Sequence, residues 1–321
     1  MKRFYRVTGI LAGIALGCGI ALSLVGVSMG GTVEAAEGLV RLPGLHLDFP
    51  FVWFGSEDNR TPTTLTEEAG GRTEISWNGM GDYDYAETYT RHIERLDWEI
   101  ETGSVILEMG EEFSIRAKNV EEKDFSSYVE GDTWHLEYQE EGDNVNWILE
   151  EAVNPAEESA QMVITIPEGR VLNEAKINLG AGVADFTGLE VEELKLEIGA
   201  GTARLQDLTV VEEGKLSVGM GELTLDGFDG HDISIHGGMG NVAVTGSLSG
   251  KTDIECGIGE IRMDLEASEE DYNYRVTCGI GNVEIGEESY TGVSDKKIDN
   301  GATDTIVMEC GIGAIRLEFT E

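Results

Sequence analysis

From about residue 160 to the C-terminus, apolar and polar residues alternate in short runs, interrupted at regular intervals by a pair of glycines. The pair has the form Gly-x-Gly and occurs seven times: Gly180-Ala181-Gly182, Gly199-Ala200-Gly201, Gly219-Met220-Gly221, Gly238-Met239-Gly240, Gly257-Ile258-Gly259, Gly279-Ile280-Gly281 and Gly311-Ile312-Gly313. Successive second glycines are 19, 20, 19, 19, 22 and 32 residues apart. Four near-equal steps followed by two longer ones predict a tandem repeat with insertions in its last loops. Before each pair, apolar residues sit one and three positions back, as Leu179 and Ile177 or Ile198 and Leu196 do. After it they sit two and four positions on, as Ala184 and Phe186 or Ala203 and Leu205 do. A period of 2 on each flank predicts half-buried strands. The inward parity flips across the glycines, which requires a corner or bulge.

One such unit cannot bury its own apolar edge. Stacking units at roughly 4.8 Å would bury it and pair each backbone group with the unit above and below. Upstream, Leu96 to Ile100, Ser104 to Leu107, Phe113 to Arg116, Trp134 to Tyr138 and Met162 to Ile166 also alternate. They predict strands that start or cap the stack. The predicted fold is therefore all-β: a β-solenoid or parallel β-helix-like domain over residues 93–321, with Gly-x-Gly rungs over 177–321. No separate cap is visible after Leu317-Glu318-Phe319.

Taken together, Ile164-Thr165-Ile166-Pro167-Glu168-Gly169, the glycine array and the Leu96 to Ile115 stretch resemble the bacterial putative-adhesin family of β-strand-repeat proteins. The resemblance spans roughly Ile93 to Glu321. It implies a repetitive β-domain displayed at the cell envelope, of unknown function, and it supplies no catalytic residues to carry over.

The N-terminus adds a compartment. Lys2, Arg3 and Arg6 precede an uncharged apolar run from Val7 to Met29. That run exceeds the 7–15 residues typical of a signal core and is long enough to span about 30 Å of hydrocarbon. Val33 and Ala35 could equally precede a cleavage point. Residues 1–36 thus read as a signal peptide or a single transmembrane helix, with everything beyond exported. Residues 37–92 show no sustained period and read as a stalk with little regular structure. Acidic residues outnumber basic ones 62 to 22, for a net charge of −40. A surface of that sign repels phosphate backbones, which argues against nucleic-acid binding.

Candidate chemistry is sparse. Cys256, Cys278 and Cys310 each directly precede a Gly-x-Gly unit, in the slot that Leu179, Ile198 and Val218 fill elsewhere. Their place favours a buried thiol ladder, with one disulfide between adjacent rungs or a metal as the alternatives. Met220 and Met239 sit in the middle of their pairs, where a corner residue is a simpler reading than a thioether metal site. Acidic residues gather in the presumed loops: Glu190, Glu192 and Glu193; Glu212 and Glu213; Asp226, Asp229 and Asp232; Glu266, Glu269, Glu270 and Asp271. Such oxygen donors could hold Ca²⁺, but a solvated, edge-protecting surface explains them without a ligand. His46, His92, His135, His231 and His236 have neither metal spacing nor a neighbouring nucleophile pattern, and His236 reads as a loop residue. The glycine pairs precede strands rather than helices, so they are not phosphate cradles.

No catalytic, cofactor or metal-binding residues are therefore predicted, and no cofactor. The function expected is a noncatalytic extracytoplasmic display or binding module at the cell surface, its partner a protein or carbohydrate there. The alternatives are an envelope-stress accessory protein that binds a membrane sensor or wall component, and, less favoured, a carbohydrate-active β-helix enzyme.

Overall fold

The computed structural model describes residues 72–80, 83–139, 159–291 and 294–320. The expected signal or membrane helix at 1–36 lies outside them, as do His46 and most of the stalk. In chain order the strands are β1 (Arg72–Met80), β2 (Tyr83–Tyr89), β3 (Arg95–Gly110), β4 (Phe113–Lys118), β5 (Phe125–Glu130), β6 (Thr133–Tyr138), β7 (Gln161–Pro167), β8 (Val171–Thr187), β9 (Glu190–Gln206), β10 (Thr209–His231), β11 (Ile233–Ser249), β12 (Lys251–Leu265), β13 (Tyr272–Ile285), β14 (Glu288–Thr291), β15 (Ser294–Ile298) and β16 (Asp304–Phe319). A single 3-10 turn, Glu269–Asp271, is the one helical element among the described residues.

The long strands are whole turns of a β-solenoid-like coil, pairing parallel and in register. Gly182 lies beside Gly201, Gly201 beside Gly221, and Gly240 beside both Gly221 and Gly259. Burial within one turn shows why 19 residues close it. Leu189 and Val191 are buried, then Leu194, Leu196, Ile198 and Ala200, then Ala203 and Leu205, then Leu208 and Val210. Inside each set the step is 2; between sets it is 3. Each step of 3 is a corner, so a turn has three sides and three corners. The sequence alone exposes the glycine corner, because the other two are built from ordinary loop residues.

Close approach explains the glycines. A Cβ on Gly201 would fall far inside contact distance of the Gly182 carbonyl oxygen, at a φ of +136° that L-residues rarely adopt. A Cβ on Gly180 would come within 2.5 Å of the Glu101 carbonyl oxygen. Each corner thus rests on the corner beneath it, with room for hydrogen alone. The first turn has no such constraint at its first glycine position, and there β3 carries Glu101. Thr102-Gly103 pairs with Ala181-Gly182, so β3 is an eighth rung that joins the two segments read separately in the sequence.

Rung order departs from chain order. The sheet runs β8-β9-β10-β11-β12-β16-β13, placing the last Gly-x-Gly unit between the fifth and sixth. The outer edge of β13 is occupied by its own continuation. β14 folds back on Asn282 to Ile285 through a two-residue turn at Gly286, and β15 pairs with Tyr274 to Cys278. The returning β16 therefore enters on the inner side. The 22-residue step before β13 accords with this, its three added residues helping the chain to skip a rung. Strands β14 and β15 are the cap that the sequence did not reveal.

At the opposite end the two flanks of β3 diverge. Arg95 to Ile100 pairs with β6, which pairs with β5; Ser104 to Gly110 pairs with β7, which leads to β4, β2 and β1. Strands β1 and β2 fall within the segment expected to hold little regular structure, so the sheet begins upstream of residue 93. Aromatic residues close this end: Trp134 packs edge-on against Trp98 at 5.6 Å and tilts against Tyr89 at 4.9 Å. Its Nε1–H donates to Ser127 Oγ at 3.0 Å, so a fully buried indole is satisfied.

Two glycine substitutions should separate close approach from mere flexibility. Gly201→Ala should lose about 3 kcal/mol or more, from positive-φ strain together with the clash on the rung below. A methyl group at Gly237 would meet nothing nearer than 3.4 Å, and the φ there is ordinary, so Gly237→Ala should gain about 0.5–1 kcal/mol. Urea melts of both variants check the pair.

Candidate interaction surface

Because the rungs are in register, every outward position becomes a row running along the coil. On the flank before the glycine corner, one row reads Asp97, Lys176, Lys195, Lys215, Ser234 and Asp253; the next reads Glu99, Asn178, Glu197, Ser217, His236, Glu255 and Glu309. On the flank after it, Asp185, Arg204, Thr224, Ala243, Arg262, Arg316 and Glu284 form a third. Three stacked lysines would repel one another. Carboxylates offset that: Lys176 Nζ lies 2.5 Å from Glu174 Oε1, and Lys195 Nζ 3.1 Å from Glu197 Oε1. The hydrogen bond to Glu174 also raises the Lys176 pKa. A row of like side chains at strand spacing suits an extended, repeating ligand better than a compact substrate.

The corner itself carries an apolar ridge. Ala181 and Ala200 are buried, but Met220, Met239, Ile258 and Ile312 are partly exposed, and Ile280 is 73% exposed. Met220 and Met239 are neighbours in register and belong to this ridge as corner residues.

The cysteine slot faces inward. Cys256 and Cys310 are buried, and the Cys310 thiol lowers the Cys256 pKa through a hydrogen bond, against the opposing effect of burial. Cys278 occupies the same register position on β13. By backbone register the three positions follow the spatial order Cys256, Cys310, Cys278.

The histidines are dispersed. Arg170 Nη2 donates to His92 Nδ1 at 2.6 Å, so His92 Nε2–H donates to Glu94 Oε1, also at 2.6 Å. His135 stacks on Tyr128 and lies 3.3 Å from Asp97. His231 meets Ser249 at 2.9 Å. His236 lies within β11, 3.4 Å from Glu255, and is a strand residue rather than the expected loop residue. The acidic clusters fall at the other two corners and at the turn before β13. There Asp232 Oδ1 accepts the Lys251 N–H at 2.7 Å, and Asp271 Oδ2 accepts that of Ser268 at 2.9 Å. Among the described residues, no three His, Cys, Asp or Glu side chains converge as a metal site would require. A shallow hollow of about 330 Å³ is lined by Thr90, Arg91, His92, Phe113, Pro167 and Arg170.

A buried polar group that sequence reasoning missed lies between β2 and β5. Glu87, in a strand with buried tyrosines on either side, accepts hydrogen bonds from Tyr85 and, at 2.7 Å, Tyr89, and Tyr89 Oη lies 2.6 Å from Ser127 Oγ. Burial is the main reason both phenols are held well above the ordinary tyrosine range. The alternation that puts Tyr85, Glu87 and Tyr89 on one strand face was the available signal, hidden by a carboxylate in an inward position.

Surface carboxylates shift in two directions. Partial burial, then Asp97 and Glu137, raises the Glu99 pKa; burial, then Glu288, raises that of Glu269. Hydrogen bonds from Arg95 and Arg316 lower the pKa values of Asp132 and Glu284. A raised folded-state pKa means that the native state binds more protons than the unfolded chain, so stability increases as pH falls through it. A lowered one reverses the sign. The urea midpoint should therefore rise from pH 7 to about 5, where the net repulsion also eases, and fall below about pH 4 as Asp132 and Glu284 protonate. Glu99→Gln should raise the midpoint at pH 7 and flatten the upper limb, as denaturation across a pH series will show.

No curated protein matches the chain. A putative cell adhesion protein from Clostridium sporogenes ATCC 15579 is similar at 14% identity, over 73% of this chain and 99% of that one, with a TM-score of 0.30. A putative adhesin from Bacteroides fragilis NCTC 9343 is similar at 15% identity, over 72% of this chain and 95% of that one, with a TM-score of 0.37. The family profile described as Toastrack DUF4097 matches residues 93–301, well over half of the sequence, and the chain belongs to that family.

Proposed function

We propose that the protein is a noncatalytic display and binding module of the bacterial cell envelope. It is exported through its N-terminal apolar run and presents the coil's outward rows to an extended ligand, a carbohydrate or protein at the cell surface. The observation that carries this reading is the in-register repetition of exposed side chains, above all Lys176, Lys195 and Lys215, over an interior filled with aliphatic residues. Repetition multiplies weak contacts along a polymer. A reaction centre instead needs different groups converging on one point. The basic flank at Lys2, Arg3 and Arg6 before the Val7 to Met29 run supports the compartment.

Two measurements test this. Protease added to intact cells or spheroplasts should degrade the domain without lysis, and the purified chain should sediment with isolated cell envelopes in a salt-sensitive manner. Replacing the three row lysines by glutamine should reduce that sedimentation several-fold while changing the urea midpoint only modestly, because exposed ion pairs contribute little to stability. Cytoplasmic protection from protease would refute the location. Turnover of a glycan or peptide by the purified chain would refute the noncatalytic assignment.

A further inference from the structure

Among the described residues, the three cysteines carry reactive chemistry that the proposed binding does not use. The fold arranges them differently from their order in the sequence. With β16 between β12 and β13, Cys310 has a cysteine at the same register position on each side: Cys256 on β12 and Cys278 on β13. Neighbouring rungs lie about 4.8 Å apart, within the Cα separation that a disulfide spans; Cys256 and Cys278 are two rungs apart, about 9.6 Å, beyond it. The side chains of Cys256 and Cys310 both turn into the interior and are buried.

We propose that Cys256 and Cys310 are a disulfide site, oxidised as the exported chain folds, and that the bond fixes the inserted rung β16 against β12. It rests on the exported reading for its oxidant in the cell, a disulfide donor of the envelope. The thiolate of one cysteine attacks the donor disulfide and releases one donor thiol. The second cysteine's thiolate then attacks that mixed disulfide and releases the other. Overall, two cysteine thiols lose two protons and two electrons, and the donor gains them as two thiols. Oxidation precedes burial, because the folded interior shields both sulfurs. The bond joins residues separated by 54 positions and encloses β13, β14 and β15. Cys278, on the next rung, remains a thiol.

Refolding the full chain with oxidised glutathione, then alkylating in denaturant and mapping peptides, tests the site in vitro wherever the protein resides. Trypsin puts the three cysteines on separate peptides, 252–262, 276–296 and 298–316. The expected product links 252–262 to 298–316, with Cys278 alkylated. Oxidation should lower the unfolding equilibrium constant by about 30-fold or more, an effect lost in Cys310→Ser and kept in Cys278→Ser. A link between Cys256 and Cys278, a link between Cys278 and Cys310, glutathione adducts alone, or three alkylatable cysteines would overturn the proposal. A cytoplasmic location would refute the export reading while leaving the in vitro linkage to stand or fall separately.

Discussion

The structure depends on one steric constraint: at the glycine corner, the carbonyl oxygen of each rung occupies the space where the next rung would carry a Cβ. The corner can turn sharply only if successive rungs sit directly upon one another, and they can do so only where the side chain is hydrogen. Register follows from this. Once Gly182, Gly201, Gly221, Gly240 and Gly259 are superposed, each inward residue meets its counterpart above and below. The apolar interior is then a set of columns, such as Ile177, Leu196, Leu216, Ile235 and Ile254. Outward residues form columns by the same rule, so the steric constraint that sets the core also sets the pattern of surface charge.

A stack built this way has two ends, and each is closed differently. At the start, the flanks of β3 part and are extended by separate strands around Trp98 and Trp134. At the finish, the chain folds its own insertion over β13 and returns beneath it, with Tyr272, Tyr274 and Phe319 grouped nearby. Tyr272 Oη–H donates to the Leu248 carbonyl at 2.8 Å, and Tyr274 Oη–H to that of Glu269 at 2.7 Å. The aromatic residues thus concentrate where the repetitive aliphatic packing stops. Ring surfaces with a polar tip suit a boundary between core and loop.

Much of this was legible in the sequence, and the illegible parts share a cause. The strands, the inward face and the glycine corner follow from period-2 alternation and glycine spacing. The eighth rung was hidden because Glu101 replaces the first glycine, which is needed only above another rung. The position of β16 was hidden because one repeat fits any slot in the stack equally well; the 22-residue step before β13 was its single trace. The capping strands β14 and β15 are too short and polar to alternate clearly. Among candidate site residues, the inward place of Cys256 and Cys310 could be read directly from Leu179 and Ile198 in the same slot. The Tyr85, Glu87 and Tyr89 group could not, because an inward carboxylate looks like an interruption of the pattern.

Rung order and rung spacing together carry the account, and dipolar distances between nitroxide labels on the outward row measure both. From Asp185, labels at Arg262, Arg316 and Glu284 lie four, five and six rungs away. Distances should increase in that order, to about 19, 24 and 29 Å. A shorter distance to Glu284 than to Arg316 would restore chain order to the stack and contradict the inserted rung. Distances that do not grow with rung number would contradict the stack itself.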